Sequence, residues 1–155
     1  PVVIAMSDTN IAVYDGGANS PEPIPPAVRV FNSDGAETGR YRVPGGAALP
    51  AGSVPVTADG LASVWTGHDT VVLDGLSMRP VFTATGTRGP GVAIGARMLI
   101  PDDAGYLVVD AATGQRTGHL AVARETHDAA QAIVPAALGD AVVEQRGDTL
   151  AVYGP

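Results

Sequence analysis

The chain contains no cysteine, which excludes disulfides, thiolate metal sites and cysteine nucleophiles. It contains no lysine either, so its nine basic residues are all arginine. Aromatic residues are scarce, with 1 Trp, 2 Phe and 4 Tyr, and the core must be filled mainly by Val, Ala, Leu and Ile. Charged residues make up 16% of the chain, and their balance gives a net charge of −7. An acidic surface repels phosphate backbones, so a nucleic-acid partner is not expected. No apolar run approaches the ~18–20 residues of a transmembrane helix, and no transmembrane segment is expected. The first residue is Pro1 and not Met. It lies inside what reads as a strand, so loss of a signal peptide or a larger N-terminal region is expected, and export stays open.

Hydrophobic residues account for 45% of the 155 positions, enough for a folded domain with its own core. The 20 glycines and 13 prolines cut helices short and suit brief strands joined by tight turns. The abundance of Ala, Gly, Val and Arg without Lys is the composition of a GC-rich genome, and an actinobacterial or similar bacterial source is expected.

One pattern recurs along the chain. Residues 28–32 (VRVFN) run into the turn 33–35 (SDG) and a returning segment 40–43 (RYRV). Residues 70–74 (TVVLD) run into 75–77 (GLS) and 80–83 (PVFT). Residues 106–110 (YLVVD) run into 111–114 (AATG) and 118–122 (GHLAV), and residues 149–154 (TLAVYG) begin the pattern again. In each, a β-branched apolar run forms a strand. An Asn or Asp then closes it and can accept hydrogen bonds from the following turn, and a second strand returns. The spacings from Asn32 to Asp74, Asp74 to Asp110 and Val109 to Tyr153 are 42, 36 and 44 residues. A recurrence near 40 is the period of a four-stranded propeller blade.

The intervening segments supply two further strands per unit: 2–6 and 10–15, 53–57 and 61–66, 91–94 and 97–100, 132–138 and 141–145. The fold class expected is all-β, in four-stranded antiparallel repeat units forming a β-propeller. The units fall at about 1–44, 53–86, 91–123 and 132–155, as one repeat domain and as half of a ring or the C-terminal portion of a 7–8-bladed one. Strand order A, B, C, D occurs three times and A, B, C once, so a fourth strand for the last unit is expected from upstream chain or from a partner subunit. Two stretches depart from the pattern. Residues 16–26 (GGANSPEPIPP) read as an exposed loop with polyproline character. Residues 124–131 (RETHDAAQ) read as a connection that could hold a helical turn.

The segment 110–115 (DAATGQ) after 107–109 (LVV) resembles the "LDAxTGK" hairpin of pyrroloquinoline-quinone-like β-propeller repeats. Residues 73–75 (LDG) and 32–35 (NSDG) are weaker copies. The resemblance implies the propeller fold. That family holds quinoprotein dehydrogenases and non-enzymatic relatives, including bacterial outer-membrane assembly scaffolds. Blades of the quinoproteins end this hairpin in a Trp that docks on the next blade, whereas residues 118–120 (GHL) carry none and Trp65 lies in a strand B. A vicinal Cys pair and a metal cluster are also missing, so the resemblance carries the fold and not the chemistry, and no cofactor is expected.

Candidate chemistry is sparse. His68, His119 and His127 show no ligand spacing, and no catalytic or metal residue is assigned. Asp34, Glu37, Asp102, Asp103 and Asp148 lie in turns and do not alternate as a Ca²⁺ loop requires. Ser53, Ser63 and Ser77 lack a nucleophile elbow. Gly45 and Gly46, and residues 86–95 (GTRGPGVAIG), link strands and form no phosphate cradle. Residues 146–148 (RGD) fill a hairpin turn. Trp65, Tyr41 and Phe82 are expected to pack between sheets.

A non-enzymatic scaffold or protein-binding module of a bacterial cell envelope is therefore expected, placed outside the cytoplasm. Its partner is another protein or the second half of the propeller, a homodimer included. Pro21, Pro23, Ile24 and Pro25 in one loop and Arg88 and Pro90 in another are the expected contacts, since loops on a rigid scaffold carry binding. The rival reading is a hydrolase, lyase or quinone-dependent oxidoreductase with its site in the central channel. A β-sandwich or jelly roll is a third reading, but it gives no natural hairpin repeat near 40 residues.

Overall fold

A computed structural model describes residues 2–7, 10–15, 26–46, 49, 56–58, 60–124, 132–146 and 149–154. Its strands form four separate antiparallel sheets, each built in chain order. The first holds β1 (Val2–Ser7), β2 (Asn10–Asp15), β3 (Ala27–Asn32) and β4 (Glu37–Arg42). The second holds β5 (Val56–Ala58), β6 (Leu61–Trp65), β7 (Thr70–Asp74) and β8 (Pro80–Ala84). The third holds β9 (Val92–Ile94), β10 (Arg97–Pro101), β11 (Gly105–Asp110) and β12 (Arg116–Ala121). The fourth holds β13 (Val134–Leu138), β14 (Ala141–Arg146) and β15 (Thr149–Tyr153).

The residue that ends each third strand builds the following turn. Asn32 Oδ1 accepts from the backbone N–H groups of Asp34 and Ala36 at 3.1 and 2.9 Å. Asp74 Oδ1 accepts from Leu76 N, Ser77 N and Ser77 Oγ at 3.2, 2.7 and 2.7 Å. Asp110 Oδ1 accepts from Ala112 N, Thr113 N and Thr113 Oγ1 at 3.1, 2.8 and 2.8 Å. One short acceptor thus holds each turn's donors and sets the register of the hairpin. The same irregularity follows in all three hairpins, at Val30/Phe31, Val72/Leu73 and Val108/Val109.

Alternation along the strands gives each sheet two faces, and successive sheets stack through them. Ala12, Val28, Val30 and Tyr41 of the first sheet pack on Ala62, Val64, Val71, Leu73 and Met78 of the second. The other face of the second sheet, with Leu61, Val72 and Ala84, packs on Met98, Ile100, Leu107 and Val109 of the third. The third sheet's Val92, Leu99 and Tyr106 pack on Val142 of the fourth. All five residues of β6 are buried, because that strand has a sheet on each side.

The segment between the second and third sheets runs through the interior. Thr70 Oγ1 donates to Gly89 O at 2.8 Å, and Trp65 Nε1 donates to Thr87 O at 3.2 Å. Ser63 Oγ donates to Pro90 O. The Arg88 N–H donates to Pro101 O at 2.8 Å, and Arg88 O accepts from the N–H of Ile133, ahead of the fourth sheet, at 2.7 Å. Trp65 is therefore buried and satisfies a loop carbonyl.

Strand limits differ from the expected ones at several ends. β5, expected over 53–57, is described over Val56–Ala58, with 53–55 outside the described residues, and β13 begins at Val134 and not at 132. β4 and β12 begin at Glu37 and Arg116, earlier than residues 40 and 118. Their polar first residues follow a turn tied by a side chain and are already extended. Pro101, expected in a turn, ends β10. It costs no ladder bond there, since β9 stops at Val92, opposite Leu99.

Candidate functional site

Register places equivalent residues of the four sheets side by side. Asn32 pairs with Asn10, Asp74 with Leu61 and Asp110 with Arg97. The pairing of Tyr153 with Val142 matches that of Val109 with Met98, so Gly154 stands where the other sheets carry Asn or Asp. By the same register Val152 is equivalent to Val30 and Val72, and Leu150 to Val28, Thr70 and Tyr106.

These equivalents differ sharply in exposure. Val28, Val30, Thr70, Val72 and Tyr106 are all 0% exposed. Leu150 is 69% exposed, Val152 63% and Leu138, on the same face, 68%. The face that each earlier sheet presents to its successor is apolar in the fourth sheet too, and there it is open. Ile11, on the far face of the first sheet, is 49% exposed. The two end faces differ. The open face of the fourth sheet is apolar, as an interaction surface is, whereas Ile11 and Phe31 on the first sheet share their face with the ion-paired Arg29, Glu37 and Arg40.

A buried polar cluster joins the third sheet to the fourth. Glu144 is 0% exposed, and its carboxylate accepts from Arg124 Nη2 at 2.5 Å. Tyr106 Oη donates to the same carboxylate, and Arg124 Nη1 donates to Asp102 O. The Arg124 guanidinium lies 5.1 Å from the centre of the Tyr106 ring. Burial, reinforced by the Glu144 charge, pushes the Tyr106 hydroxyl well above the ordinary phenol range. Burial alone would lower Arg124, but the hydrogen bond and charge of Glu144 outweigh it and hold the guanidinium above its usual value. With 4% and 0% side-chain exposure for Arg124 and Glu144, this network faces no substrate and acts as a joint. Sequence reasoning missed it. The available signal was weak, because Glu144 is followed by Gln145 and Arg146 in β14 and does not stand out as a lone polar residue in an apolar run.

The residues singled out from sequence are dispersed. His68 is exposed in a turn. His119 Nε2 lies 2.9 Å from Asp102 Oδ2, which extends the joint to the surface. Arg88 Nε lies 3.6 Å from Asp103 Oδ1. Pro90 is buried and the Arg88 side chain is 12% exposed, so the backbone of this loop ties sheets together and little of it faces outward. Pro21, Pro23, Ile24, Pro25 and His127 lie outside the described residues. Among the described residues no group of three His, Asp or Glu is placed to hold a metal ion. Among the described residues no helix is long and apolar enough to cross a membrane.

The chain is similar to BamB from Moraxella catarrhalis, with a TM-score of 0.61 and 13% identity over 99% of this chain. The fold is that of a β-propeller. This chain spans 44% of the length of that BamB chain. A europium-containing methanol dehydrogenase aligns over 72% of this chain and 23% of its own, with 12% identity and a TM-score of 0.45. No family model matches the sequence, and no curated protein matches it either.

Proposed function

We propose that this propeller segment is a non-enzymatic, protein-binding module of a bacterial cell envelope, of the pyrroloquinoline-quinone-like repeat type, and that it works as half of a ring. The observation that carries this reading is the open apolar face of the fourth sheet, with Leu138, Leu150 and Val152 each more than 60% exposed. The equivalent face in the first three sheets is closed by the next sheet. A second copy is what we propose closes it, its first sheet offering a mixed far face in which Ile11 and Phe31 lie beside the ion-paired Arg29, Glu37 and Arg40. Two copies give about eight sheets, a usual propeller number. Residues 17–25 are proposed to contact the partner, and deleting them is expected to spare folding and weaken partner capture.

Native mass spectrometry tests the half-ring. A mass twice that of the 15.6 kDa chain in the wild type, returning to the single-chain mass in Leu150→Glu, supports it. A well-folded wild-type monomer at micromolar concentration overturns it.

A further inference from the structure

Asp–Gly pairs occur in the chain at 15–16, 34–35, 59–60 and 74–75. Both members are among the described residues for Asp34–Gly35 and for Asp74–Gly75. These two read alike in sequence, since each lies where the third strand of a sheet turns into the fourth. An aspartate followed by glycine has a chemistry of its own. The glycine nitrogen can attack the carboxyl carbon of the aspartate side chain and close a five-membered imide, because glycine has no Cβ to crowd the ring. The reaction needs a carboxyl group not held elsewhere and a peptide unit that can turn toward it.

The structure separates the two pairs. Asp74 Oδ1 accepts the hydrogen bonds that tie its turn, from Leu76 N, Ser77 N and Ser77 Oγ, and Asp74 is paired with Leu61 at the end of β7. Gly75 is buried, and its N–H donates to Gly60 O at 2.6 Å. Carboxyl and nitrogen are both engaged there. In the first sheet the tying acceptor is Asn32 Oδ1, two residues before the aspartate, so the Asp34 carboxyl stands outside the bonds of the turn. Asp34 and Gly35 are both exposed. A Cβ at Gly35 would meet nothing within 4 Å, so the backbone has room to move. The Gly35 N–H donates to Asn32 O at 3.0 Å within the same exposed turn, and bonds of that kind open at small cost.

We propose that Asp34 is a site of slow covalent modification, converting to isoaspartate in the folded protein while Asp74 is protected. The Gly35 nitrogen bonds to Asp34 Cγ and gives up its proton, and a carboxyl oxygen leaves as water, which yields the cyclic imide. Water then adds to the main-chain carbonyl carbon of Asp34. The bond from that carbon to the Gly35 nitrogen breaks, and the nitrogen takes back a proton. Gly35 is left joined through Cγ, and the former main-chain carbonyl becomes a free carboxylate. The water lost is regained, no oxidant or reductant enters, and the mass is unchanged.

The product lengthens the main chain by one methylene between Asp34 and Gly35. The hydrogen bonds that span this point are Ala36 N–H to Asn32 Oδ1 at 2.9 Å and Asn32 N–H to Ala36 O at 3.0 Å. Their loss loosens the start of β4. Glu37 follows directly and holds Arg29 at 2.5 Å and Arg40 at 2.6 Å. Gly39, two residues on, lies under the second sheet's turn, where an added Cβ would fall 2.4 Å from Leu76 O. Isomerisation at Asp34 thus weakens both the ion pairs of β4 and the packing of the second sheet on the first. The site depends neither on the half-ring nor on a protein partner, since its chemistry lies within one turn.

The test stores the folded wild type at neutral pH and physiological temperature for several weeks, beside a sample in guanidinium chloride. The chain has no Lys, so tryptic cleavage after Arg29 and Arg40 releases residues 30–40 as one peptide. Electron-transfer fragmentation then assigns isoaspartate position by position. In the folded sample isoaspartate is expected to form about tenfold faster or more at residue 34 than at residue 74, because an exposed turn opens locally and a buried strand end does not. The denaturant is expected to remove that difference. Asp34→Ser keeps the Asn32 bonds and cannot form the imide, so storage is expected to lower the melting temperature of the wild type and to leave that of the variant unchanged. No isoaspartate at residue 34, or equal rates at residues 34 and 74 in the folded sample, overturns the proposal. Isoaspartate at residue 34 with an unshifted melting temperature overturns the loosening of β4.

Discussion

Two glycines in matched places make the sharpest case at the scale of single residues. Gly39 of β4 pairs with Val30, and Gly118 of β12 pairs with Val108. A Cβ at Gly39 would fall 2.4 Å from Leu76 O, whereas at Gly118 it would meet nothing within 4 Å among the described residues. Gly39→Val forces a Cβ into a backbone carbonyl that cannot give way, and overpacking of that kind costs about 2–3 kcal/mol. Gly118→Val, in a strand of the same sequence pattern, costs almost nothing and gains β propensity. Thermal melts of the two variants are expected to differ by several degrees, and equal melting temperatures would contradict the packing of the second sheet on the first. Met78 is a related case. It is 1% exposed and holds φ 56° where the third sheet has Gly114 at φ 70°. A buried methionine keeps a backbone conformation that suits glycine, because its side chain fills the core between the first two sheets. Met78→Gly relieves about 1 kcal/mol of backbone strain but empties a core site worth about 2–5 kcal/mol. Chemical denaturation is expected to show net destabilisation.

Glu37 brings pH into the residue scale. Hydrogen bonds from Arg40 and Arg29 lower its carboxyl from the ordinary 4.5 to about 2. A depressed folded value stabilises the protein at pH above the unfolded value and loses that contribution as the pH falls. Stability from this site is therefore complete above about pH 4.5 and declines toward pH 2. Asp74 and Asp110 are lowered as well, by their hydrogen bonds to Ser77 and Thr113, so they add to the decline below the ordinary carboxylate range. In Glu37→Gln the slope of melting temperature against pH in this window is expected to be shallower than in the wild type.

At the scale of elements, the joint between the third and fourth sheets replaces apolar packing by an ion pair. Glu144 holds the place that Ile100 holds in β10 and Val64 in β6, by the register of the strands. Removing one member of a buried pair leaves the other charge without compensation, and this costs about 3–5 kcal/mol. Arg124→Met is expected to loosen the fourth sheet first. Hydrogen exchange would then rise in β13–β15 while β6 and β7 stay protected, and a uniform rise along the chain would show that the joint is not local. Replacing Glu144 and Arg124 together by Ile and Met is expected to recover most of the loss, because the apolar pattern of the other junctions is restored.

For the whole molecule, the decisive feature is a stack of sheets in which the described residues of the fourth sheet keep an open apolar face. Interior sheets bury both faces, as the five buried residues of β6 show. Val152, in contrast, is 63% exposed although its equivalents Val30 and Val72 are buried. Each fully buried valine contributes about 1.5–3 kcal/mol, so closing the open face is strongly favourable. Light scattering over a concentration series should therefore show association that Leu150→Glu abolishes.

Much of this molecule is legible in its sequence for a local reason. Asn32, Asp74 and Asp110 act on residues two to four positions away, so the turns, the hairpins and the repeat near 40 residues are written in contiguous stretches. The strand lists agree with the structure to within a few residues because β-branched runs and glycine turns need no distant partner. The contacts between sheets are of a different kind. The pairing of Glu144 with Arg124 and Tyr106 spans 20 and 38 positions. The difference between Gly39, which lies against Leu76, and Gly118, which meets no described residue, also lies beyond any local pattern, since ETG and RTG read alike. The chain by itself determined which residues form strands and where they turn. Only the stacking of one sheet on the next decided which apolar residues are covered and which glycine carries a neighbour's backbone.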